Sequence, residues 1–347
     1  MLKSRKKTSN MTVNFALIGA GRIGIVHARA VMTAIPNANI VAVADYHVPA
    51  AKALAEQYRI PLHTSNHLEA VQQDSVDAVI IASSTDTHAA FIIDAAQAGK
   101  HIFCEKPIAV ELGKIDEALA AVAAAGVKLQ IGFNRRFDAS FLRIRQAIAS
   151  GEIGTPHLLH IISRDPAPPP IDYIKVSGGI FFDMTIHDFD MARYLMGSEV
   201  AEIYTAGAVL VDPAIGAAGD LDTAVITLRF ANGAIGAIDN SRRAVYGYDQ
   251  RVEVFGSAGM VAVSNNTPDT HMYSNAEGIH SALPLYFFLE RYTGSYIAEL
   301  RAFVECLHND TPPPVTGMDG RLPVVMGLAA QKSYRENRPV RLDEIAA

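Results

Sequence analysis

Short apolar runs and amphipathic stretches alternate along the chain as far as Gly132. Each apolar run is continuous, which is typical of a strand that a parallel sheet buries on both faces. The predicted strands are Val13–Ile18, Ile40–Ala44, Asp77–Ala82, His101–Cys104 and Val127–Gly132, and the helices between them include Ile25–Ala34, Val48–Tyr58 and Glu111–Ala125. This rhythm predicts an α/β domain built on a parallel sheet.

Beyond Asn134 the pattern changes to strands joined by short turns, of which Asn232-Gly233 is a strong hairpin signal. The predicted strands are His157–Ser163, Ala201–Val209, Thr223–Phe230, Ala234–Ser241, Gln250–Phe255 and Met260–Val263. Helices are predicted over Ala139–Ser150, Tyr292–His308 and Leu322–Tyr334, with a turn-rich stretch, Thr311–Gly320, between the last two. We therefore expect a C-terminal α+β domain with a large, mostly antiparallel open sheet.

These patterns divide the chain into a first domain over residues 11–134 and a second domain over residues 135–347, with residues 1–10 as a disordered tail. We expect the two late helices to pack back on the first domain. One face of the antiparallel sheet can pack on a helix, while the other needs cover. Oligomerisation through that second face is therefore expected.

Composition excludes several classes of protein. A net charge of −6 argues against a nucleic-acid surface, and none of the apolar runs could span a bilayer. The two cysteines, Cys104 and Cys306, fit a reduced cytoplasmic setting, and we interpret Cys104 as a core residue rather than a nucleophile. Because the sequence lacks a Cys/His cluster with ligand spacing, we predict no metal site.

The first apolar strand runs directly into Gly19-Ala20-Gly21-Arg22-Ile23-Gly24, a G-x-G-x-x-G turn that a helix follows. Such a turn places a pyrophosphate at the helix N-terminus, and an acid about 20 residues further on binds the ribose. Asp45 closes the second strand at that interval, and no Arg follows it, which favours NAD over NADP. The alternative is a structural turn that binds nothing.

Polar residues follow two further strands, at the edge of the sheet where ligands bind. Ser84, Thr85 and His88 come after the strand Asp77–Ala82 and are predicted cofactor contacts, although helix capping alone would explain such residues. Glu105-Lys106-Pro107 comes after the next strand, and the proline holds Lys106 out of helical geometry. A surface lysine paired with Glu105 is the alternative for Lys106.

The stretch Ser177–Gly197 carries Asp183, His187, Asp190 and Tyr194 at helical spacing among apolar residues, and Gly197 is placed to end the helix. A histidine with a carboxylate one turn away is suited to acid–base chemistry. The alternative is a capping Asp183 and a satisfied core histidine. Together with the nucleotide turn and Lys106, the pair predicts oxidation of a secondary alcohol. In this hypothesis His187 removes the hydroxyl proton, Lys106 stabilises the oxygen, and Asp183 tunes the pair.

The G-A-G-R-I-G turn, Glu105-Lys106-Pro107 and the G-G-x-x-x-D-x-x-x-H-D segment resemble the glucose–fructose oxidoreductase/inositol dehydrogenase/MocA family from Thr12 onward. Three segments are most similar to the bacterial myo-inositol 2-dehydrogenases of that family: Ser163–Gly197, Ile238–Arg242 and Tyr246–Val254. The resemblance implies an N-terminal Rossmann domain with a doubly wound parallel sheet, followed by a substrate domain with a large open sheet. It also implies NAD-dependent oxidation of myo-inositol to scyllo-inosose in inositol catabolism, and usually a homotetramer.

The resemblance also implies residue roles. The catalytic residues would be Lys106, Asp183 and His187, with substrate contacts also at Arg136, Asp190 and Tyr246. The predicted cofactor set is Gly19, Gly21, Arg22, Ile23, Gly24, Asp45, Ser84, Thr85, His88 and Glu105. Ser83-Ser84-Thr85 departs from the Thr-Pro of many relatives, and the proline-rich loop near Asp165, which we interpret as a wall or lid, is expected to reshape the pocket.

Two rival functions remain open at this point. One is a dehydrogenase of another cyclic polyol or aldose, such as scyllo-inositol, D-chiro-inositol or a hexopyranose. The other is a non-catalytic NAD-binding sensor on the same fold. A sensor has no need of Lys106, Asp183 and His187 together, so the three residues favour an enzyme.

Overall fold

The computed structural model describes residues 12–346, so the predicted tail at residues 1–10 lies outside the described residues. The chain divides into two compact units. The first comprises the chain up to Asn134 together with Gly294–Arg321, and the second comprises Arg135–Thr293 and the chain from Leu322 onward.

The described part of the first unit contains a six-stranded parallel sheet in the order β3-β2-β1-β4-β5-β6. Its strands are β1 (Val13–Ile18), β2 (Ala38–Ala44), β3 (Leu62–Thr64), β4 (Ala78–Ile81), β5 (His101–Glu105) and β6 (Leu129–Gly132). The helices are α1 (Arg22–Ala34), α2 (Val48–Tyr58), α3 (His67–Val71), α4 (Thr85–Gln97) and α5 (Leu112–Ala125). The structure confirms the predicted doubly wound parallel sheet, to which it adds the short β3.

After a 3-10 turn at Asn134–Phe137, the second half of the chain is built from α6 to α13 and β7 to β15. The strands are β7 (Pro156–Arg164), β8 (Val200–Ala208), β9 (Thr223–Phe230), β10 (Ile235–Ser241), β11 (Asp249–Gly256), β12 (Gly259–Val263), β13 (Met272–Asn275), β14 (Gly278–Ser281) and β15 (Val340–Arg341). The helices are α6 (Ala139–Ala149), α7 (Ile171–Ile174), α8 (Ile180–Asp183), α9 (Thr185–Met196), α10 (Pro213–Ala217), α11 (Phe288–Asn309), α12 (Gly317–Glu336) and α13 (Asp343–Ala346).

The larger sheet of the second unit has the described order β12-β11-β7-β10-β9-β8-β15, in which only the β7–β10 pair is parallel. This arrangement confirms the predicted mostly antiparallel sheet. Helix α9 packs on β7 and β10 from one side. The opposite face of the sheet exposes apolar side chains. Leu158 of β7, Ile235 of β10 and Phe255 of β11 share this face because they are paired with one another across neighbouring strands.

Two late helices differ in extent from their predictions. Part of α11 belongs to the first unit, where Phe303 contacts the rings of Phe15 and Phe103 in the core. Helix α12 begins at Gly317, inside the stretch predicted to consist of turns, because Thr316 and Asp319 form reciprocal hydrogen bonds at its N-terminus. Among the described residues no helix is both long and apolar enough to cross a membrane.

Candidate active site

The glycines of the first βα turn serve two different purposes. Gly19 has a φ of +102°, and a Cβ there would lie 2.4 Å from the Ala82 carbonyl oxygen. A Cβ on Gly24 would lie 1.9 Å from the Gly19 carbonyl oxygen, so close packing excludes any side chain at either position. A Cβ on Gly21, in contrast, would meet nothing within 4 Å. Gly21 therefore leaves open space at the N-terminus of α1, where a pyrophosphate would lie.

Asp45 is held against this turn at the end of β2. Its Oδ2 accepts the Ala20 backbone N–H at 2.7 Å and its Oδ1 accepts that of His47 at 2.8 Å. The carboxylate is half-buried and keeps further lone pairs, so it can also accept hydrogen bonds from ribose hydroxyls. The open space at Gly21 and the fixed carboxylate together fit a dinucleotide, and both lie within one unit.

The residues predicted to contact the cofactor after β4 are arranged around the start of α4. Ser84 is exposed at the N-cap position without a side-chain capping bond, and Thr85 is half-buried. His88 is 2% exposed, with Nδ1 2.8 Å from the Pro107 carbonyl oxygen and Nε2 3.1 Å from that of Ser83. Burial lowers its pKa, even though both carbonyls oppose that effect. The imidazole thus joins two loops, and a cofactor contact through either nitrogen would require one of these contacts to open.

Lys106 follows β5 directly and is half-buried, with a cis peptide bond to Pro107. The preceding Glu105 is 8% exposed, and its carboxylate lies against His27 at 2.7 Å and accepts the Lys106 backbone N–H at 3.3 Å. Glu105 is therefore directed into the first unit, and its predicted cofactor contact stays a prediction. Cys104 beside it is fully buried, which raises its thiol pKa well above the ordinary value.

In the second unit, the predicted Asp–His helix is interrupted. Helix α8 ends at Asp183 and α9 begins at Thr185, with Met184 between them. The prediction of one continuous helix, which was made from the spacing, is therefore wrong. Gly197 ends α9 in the left-handed conformation, as predicted. From Ile180 to Met196 every residue is buried except Asp183, His187 and Tyr194. Together with Tyr194, the predicted acid–base pair thus makes up the part of this apolar segment that remains accessible.

Asp183 is held by two side chains that the sequence did not indicate. The Tyr173 hydroxyl donates to Oδ1 at 2.8 Å, and Arg242 donates to Oδ2 at 3.1 Å. Arg242 is completely buried and also donates to Asp220 at 3.2 Å. Burial alone would lower the pKa of Arg242, but Asp183 and Asp220 outweigh it and the pKa rises. Arg242 is consequently a permanent cation that fixes the Asp183 carboxylate.

Asp165 is a second carboxyl group in the electrostatic surroundings of Asp183. It directly follows β7, where its backbone N–H donates to the Ser241 carbonyl at 2.9 Å. Burial, and then the charge of Asp183, raises its pKa to about 7, against an opposing effect of Arg242. Asp165 therefore titrates near neutrality. A strand ending in charged residues before a proline, as in Glu105-Lys106-Pro107, was the signal available for it in the sequence.

In a comparison with known proteins, each half of the chain matches a family model. Residues 13–133 match the model of the oxidoreductase family with an NAD-binding Rossmann fold, and residues 141–262 match the GFO/IDH/MocA C-terminal domain. The chain belongs to the GFO/IDH/MocA family. It is 48% identical to myo-inositol 2-dehydrogenase of Thermotoga maritima over 96% of this chain and 99% of the relative. It is 46% identical to inositol 2-dehydrogenase of Rhizobium meliloti over 96% of this chain and the whole relative.

A solved family structure extends the likeness to three dimensions. The scyllo-inositol dehydrogenase of Lactobacillus casei, crystallised with NAD(H) and scyllo-inositol, superposes with a TM-score of 0.90 at 29% identity. The match covers 96% of this chain and 99% of that one. The GFO/IDH/MocA architecture, with its dinucleotide-binding first unit, therefore extends over nearly the whole chain.

The predicted substrate contacts of this family member already have partners within the second unit. Arg136 and Asp190 form a buried, two-pronged ion pair at 2.6 and 2.9 Å, and the Arg136 guanidinium lies over the Tyr194 ring. The Tyr246 hydroxyl donates to Asp249 at 2.5 Å and accepts from Arg164 at 3.3 Å. Contacts between these side chains and a substrate stay predictions.

Proposed function

We propose that this protein uses NAD to oxidise the 2-hydroxyl of myo-inositol to scyllo-inosose in inositol catabolism. The observation that carries the proposal is the accessible Asp183 and His187 on an otherwise buried segment of an inositol-dehydrogenase relative. The nucleotide turn and the fixed Asp45 carboxylate support NAD as the cofactor. An acidic side chain at this position repels the 2′-phosphate that distinguishes NADP.

The proposed roles are those that the family resemblance implies for these side chains. A bound NAD, held by the glycine turn and Asp45, would supply the hydride acceptor for the alcohol carbon. His187 takes the hydroxyl proton, and Asp183, held by Tyr173 and Arg242, favours the protonated imidazole. Lys106 donates a hydrogen bond to the same oxygen and stabilises the negative charge that develops on it.

Replacement of Lys106 by alanine tests these roles. We expect kcat for myo-inositol to fall by roughly 10²- to 10⁴-fold, the usual contribution of a positioned acid–base or electrostatic group. Binding of NAD should persist, because the turn and Asp45 are untouched. Lys114, an exposed lysine paired with Glu111, provides the matched control Lys114→Ala, which should retain full activity. Unchanged turnover in the Lys106 variant would refute the role of this lysine.

The alternative substrate is another cyclic polyol, and the Lactobacillus casei structure with scyllo-inositol is the observation that favours it. D-chiro-inositol and a hexopyranose are further candidates of the same class. Sites that hydrogen-bond hydroxyl groups discriminate strongly against analogues that lack one. A panel of these polyols with NAD and NADP, ranked by kcat/KM, identifies the preferred pair. Binding without turnover of any of them would favour a sensor instead.

We also propose that the protein is a homotetramer in the cytoplasm. Support for assembly comes from the apolar side chains on the open sheet face, Leu158, Ile235 and Phe255, which are 41%, 51% and 49% exposed. An apolar sheet face of this kind is normally covered by a partner. Light scattering on the purified protein measures its mass, and a monomer would contradict the proposal.

A further inference from the structure

Three ionisable side chains from distant parts of the chain meet in the interior of the first unit. They are His27 of α1, Glu105 at the end of β5 and Glu299 of α11. His27 and Glu299 are completely buried, and Glu105 is 8% exposed. One nitrogen or oxygen atom from each lies within 4.8 Å of the others. The proposed mechanism uses none of them, although Glu105 is next to Lys106 in the chain.

Within this cluster, the hydrogen bonds distinguish the two glutamates. Glu105 has His27 Nε2 at 2.7 Å on one oxygen and the Lys106 backbone N–H at 3.3 Å on the other. Neither carboxyl oxygen of Glu299 has a hydrogen-bond partner among the described residues. The nearby Gln130 side chain donates to the backbone carbonyl of Glu299, at 2.9 Å, rather than to its carboxyl group. An ionised carboxylate in this position would be buried without compensation, which is strongly unfavourable.

A proton on Glu299 removes this difficulty. The carboxylic acid then has one O–H donor, and His27 Nδ1, which also lacks a partner among the described residues, is an acceptor in the same cluster. Burial raises the pKa of Glu299 well above its ordinary value, and the charge of Glu105 raises it further. The single negative charge of the cluster then belongs to Glu105.

The fold makes specific room for that charge. Gly132 of β6 lies opposite Glu105 in the parallel sheet. A Cβ on Gly132 would come within 3.1 Å of the Glu105 carboxyl group, so the glycine leaves the space in which the carboxylate lies. The rings of Phe103 and Tyr296 meet the His27 imidazole edge to face and fix its orientation. The Glu105 carboxylate therefore lies in the space that Gly132 leaves and against an imidazole of fixed orientation.

Two glutamates and a histidine are also a ligand set that can hold a metal ion. Ligands of a tetrahedral ion at about 2.0–2.2 Å lie more than about 3 Å apart. The 2.7 Å between His27 and Glu105 is instead a hydrogen-bond distance. This distance favours a shared proton over a bound metal.

We propose that Glu299 is a carboxylic acid that keeps its proton, that His27 is a neutral imidazole donating to Glu105, and that together they position Glu105 as the anion beside Lys106. All three are positioning residues, because they act through Lys106. The catalytic part of this inference rests on the proposed function, whereas the protonation of Glu299 does not.

Two isosteric substitutions in the full chain distinguish the protonation states of Glu105 and Glu299. Glutamine mimics a protonated glutamate, so Glu299→Gln should leave kcat for myo-inositol and the melting temperature unchanged. Glu105→Gln removes an anion that accepts charge-assisted hydrogen bonds, and we expect kcat at saturating NAD to fall by about tenfold to a hundredfold. An equal loss of kcat in both variants overturns the proposal. So does a Glu299→Gln protein that fails to fold, because glutamine is the closest uncharged replacement.

Infrared spectroscopy tests whether the Glu299 carboxyl group is protonated, and it does not depend on enzymatic turnover. The wild-type minus Glu299→Gln difference spectrum at pH 8 should contain the carbonyl stretch of a protonated carboxylic acid. Its absence, with only carboxylate bands present, overturns the proposal, as does one equivalent of metal in the purified protein. If wild-type protein failed to oxidise myo-inositol, the proposed function would be wrong, and this spectrum would still decide the state of Glu299.

Discussion

Replacing Asp165 with asparagine should stabilise the protein at pH 8 and leave its stability unchanged near pH 4. Burial and the charge of Asp183 raise the pKa of Asp165 from 3.8 to about 7 in the folded protein. An acid whose pKa is raised by folding binds more protons in the native state than in the unfolded chain. Its contribution to stability therefore falls as the pH rises from about 4 to about 7.

The size of this effect follows from the two pKa values. Their difference is about 3 units, and each unit corresponds to about 1.36 kcal/mol, so the ionised carboxylate lowers the free energy of unfolding by up to about 4 kcal/mol. The penalty is complete above the folded pKa and absent below the unfolded one. Asparagine cannot ionise, so the stability difference between variant and parent should grow across this interval and then level off.

Urea unfolding followed by circular dichroism at a series of pH values measures that difference. Subtracting the parent curve removes the contributions of all other titrating groups. Asp172→Asn provides the control, since the Asp172 side chain is 96% exposed and its removal should change stability by no more than about 0.5 kcal/mol at any pH. A difference between Asp165→Asn and parent that is constant with pH would refute the reasoning.

Two further substitutions test the two halves of the site. Gly21→Ala should fold normally, because its Cβ meets no protein atom within 4 Å, yet weaken NAD binding by about tenfold or more in a titration; a Gly24→Ala protein, whose Cβ would overlap the Gly19 carbonyl, should fail to fold. Arg242→Met removes the buried cation that Asp183 and Asp220 share, and should lower the free energy of unfolding by roughly 3–5 kcal/mol in urea. Native-like stability of that variant would contradict the role of Arg242.

The local signals in the sequence were sufficient for the longer strands of the two large sheets, whereas the short strands β3, β13, β14 and β15 were not predicted. Continuous apolar runs predicted the parallel strands, and Asn232-Gly233 predicted the β9–β10 hairpin, because both depend on neighbouring residues alone. The break at Met184 was missed for the same reason. Asp183 and His187 are four apart whether or not the helix is continuous, so spacing could not reveal that α8 ends between them.

The partners of the site residues could not be predicted, since each is distant in the chain. Arg242 is 59 residues from Asp183, and Glu105 is 78 residues from His27. Nothing in the local pattern distinguishes Arg242 from the adjacent Arg243, yet the first is completely buried and the second is exposed. Only the sheet register and the helix packing bring such pairs together.

The two units share a local structure that orients a charged side chain. In each, a strand ends in charged residues followed by a proline, namely Glu105-Lys106-Pro107 after β5 and Arg164-Asp165-Pro166 after β7. In each, the residue before the central side chain is anchored by a distant partner: Glu105 by His27 at 2.7 Å and Arg164 by Asp239 at 2.5 Å. An anchored neighbour fixes the backbone, and the proline restricts the residue that precedes it. Lys106 and Asp165 are therefore directed by the residues on either side of them, so substitutions at Glu105 and Arg164 should change the orientation of these two side chains without touching either one.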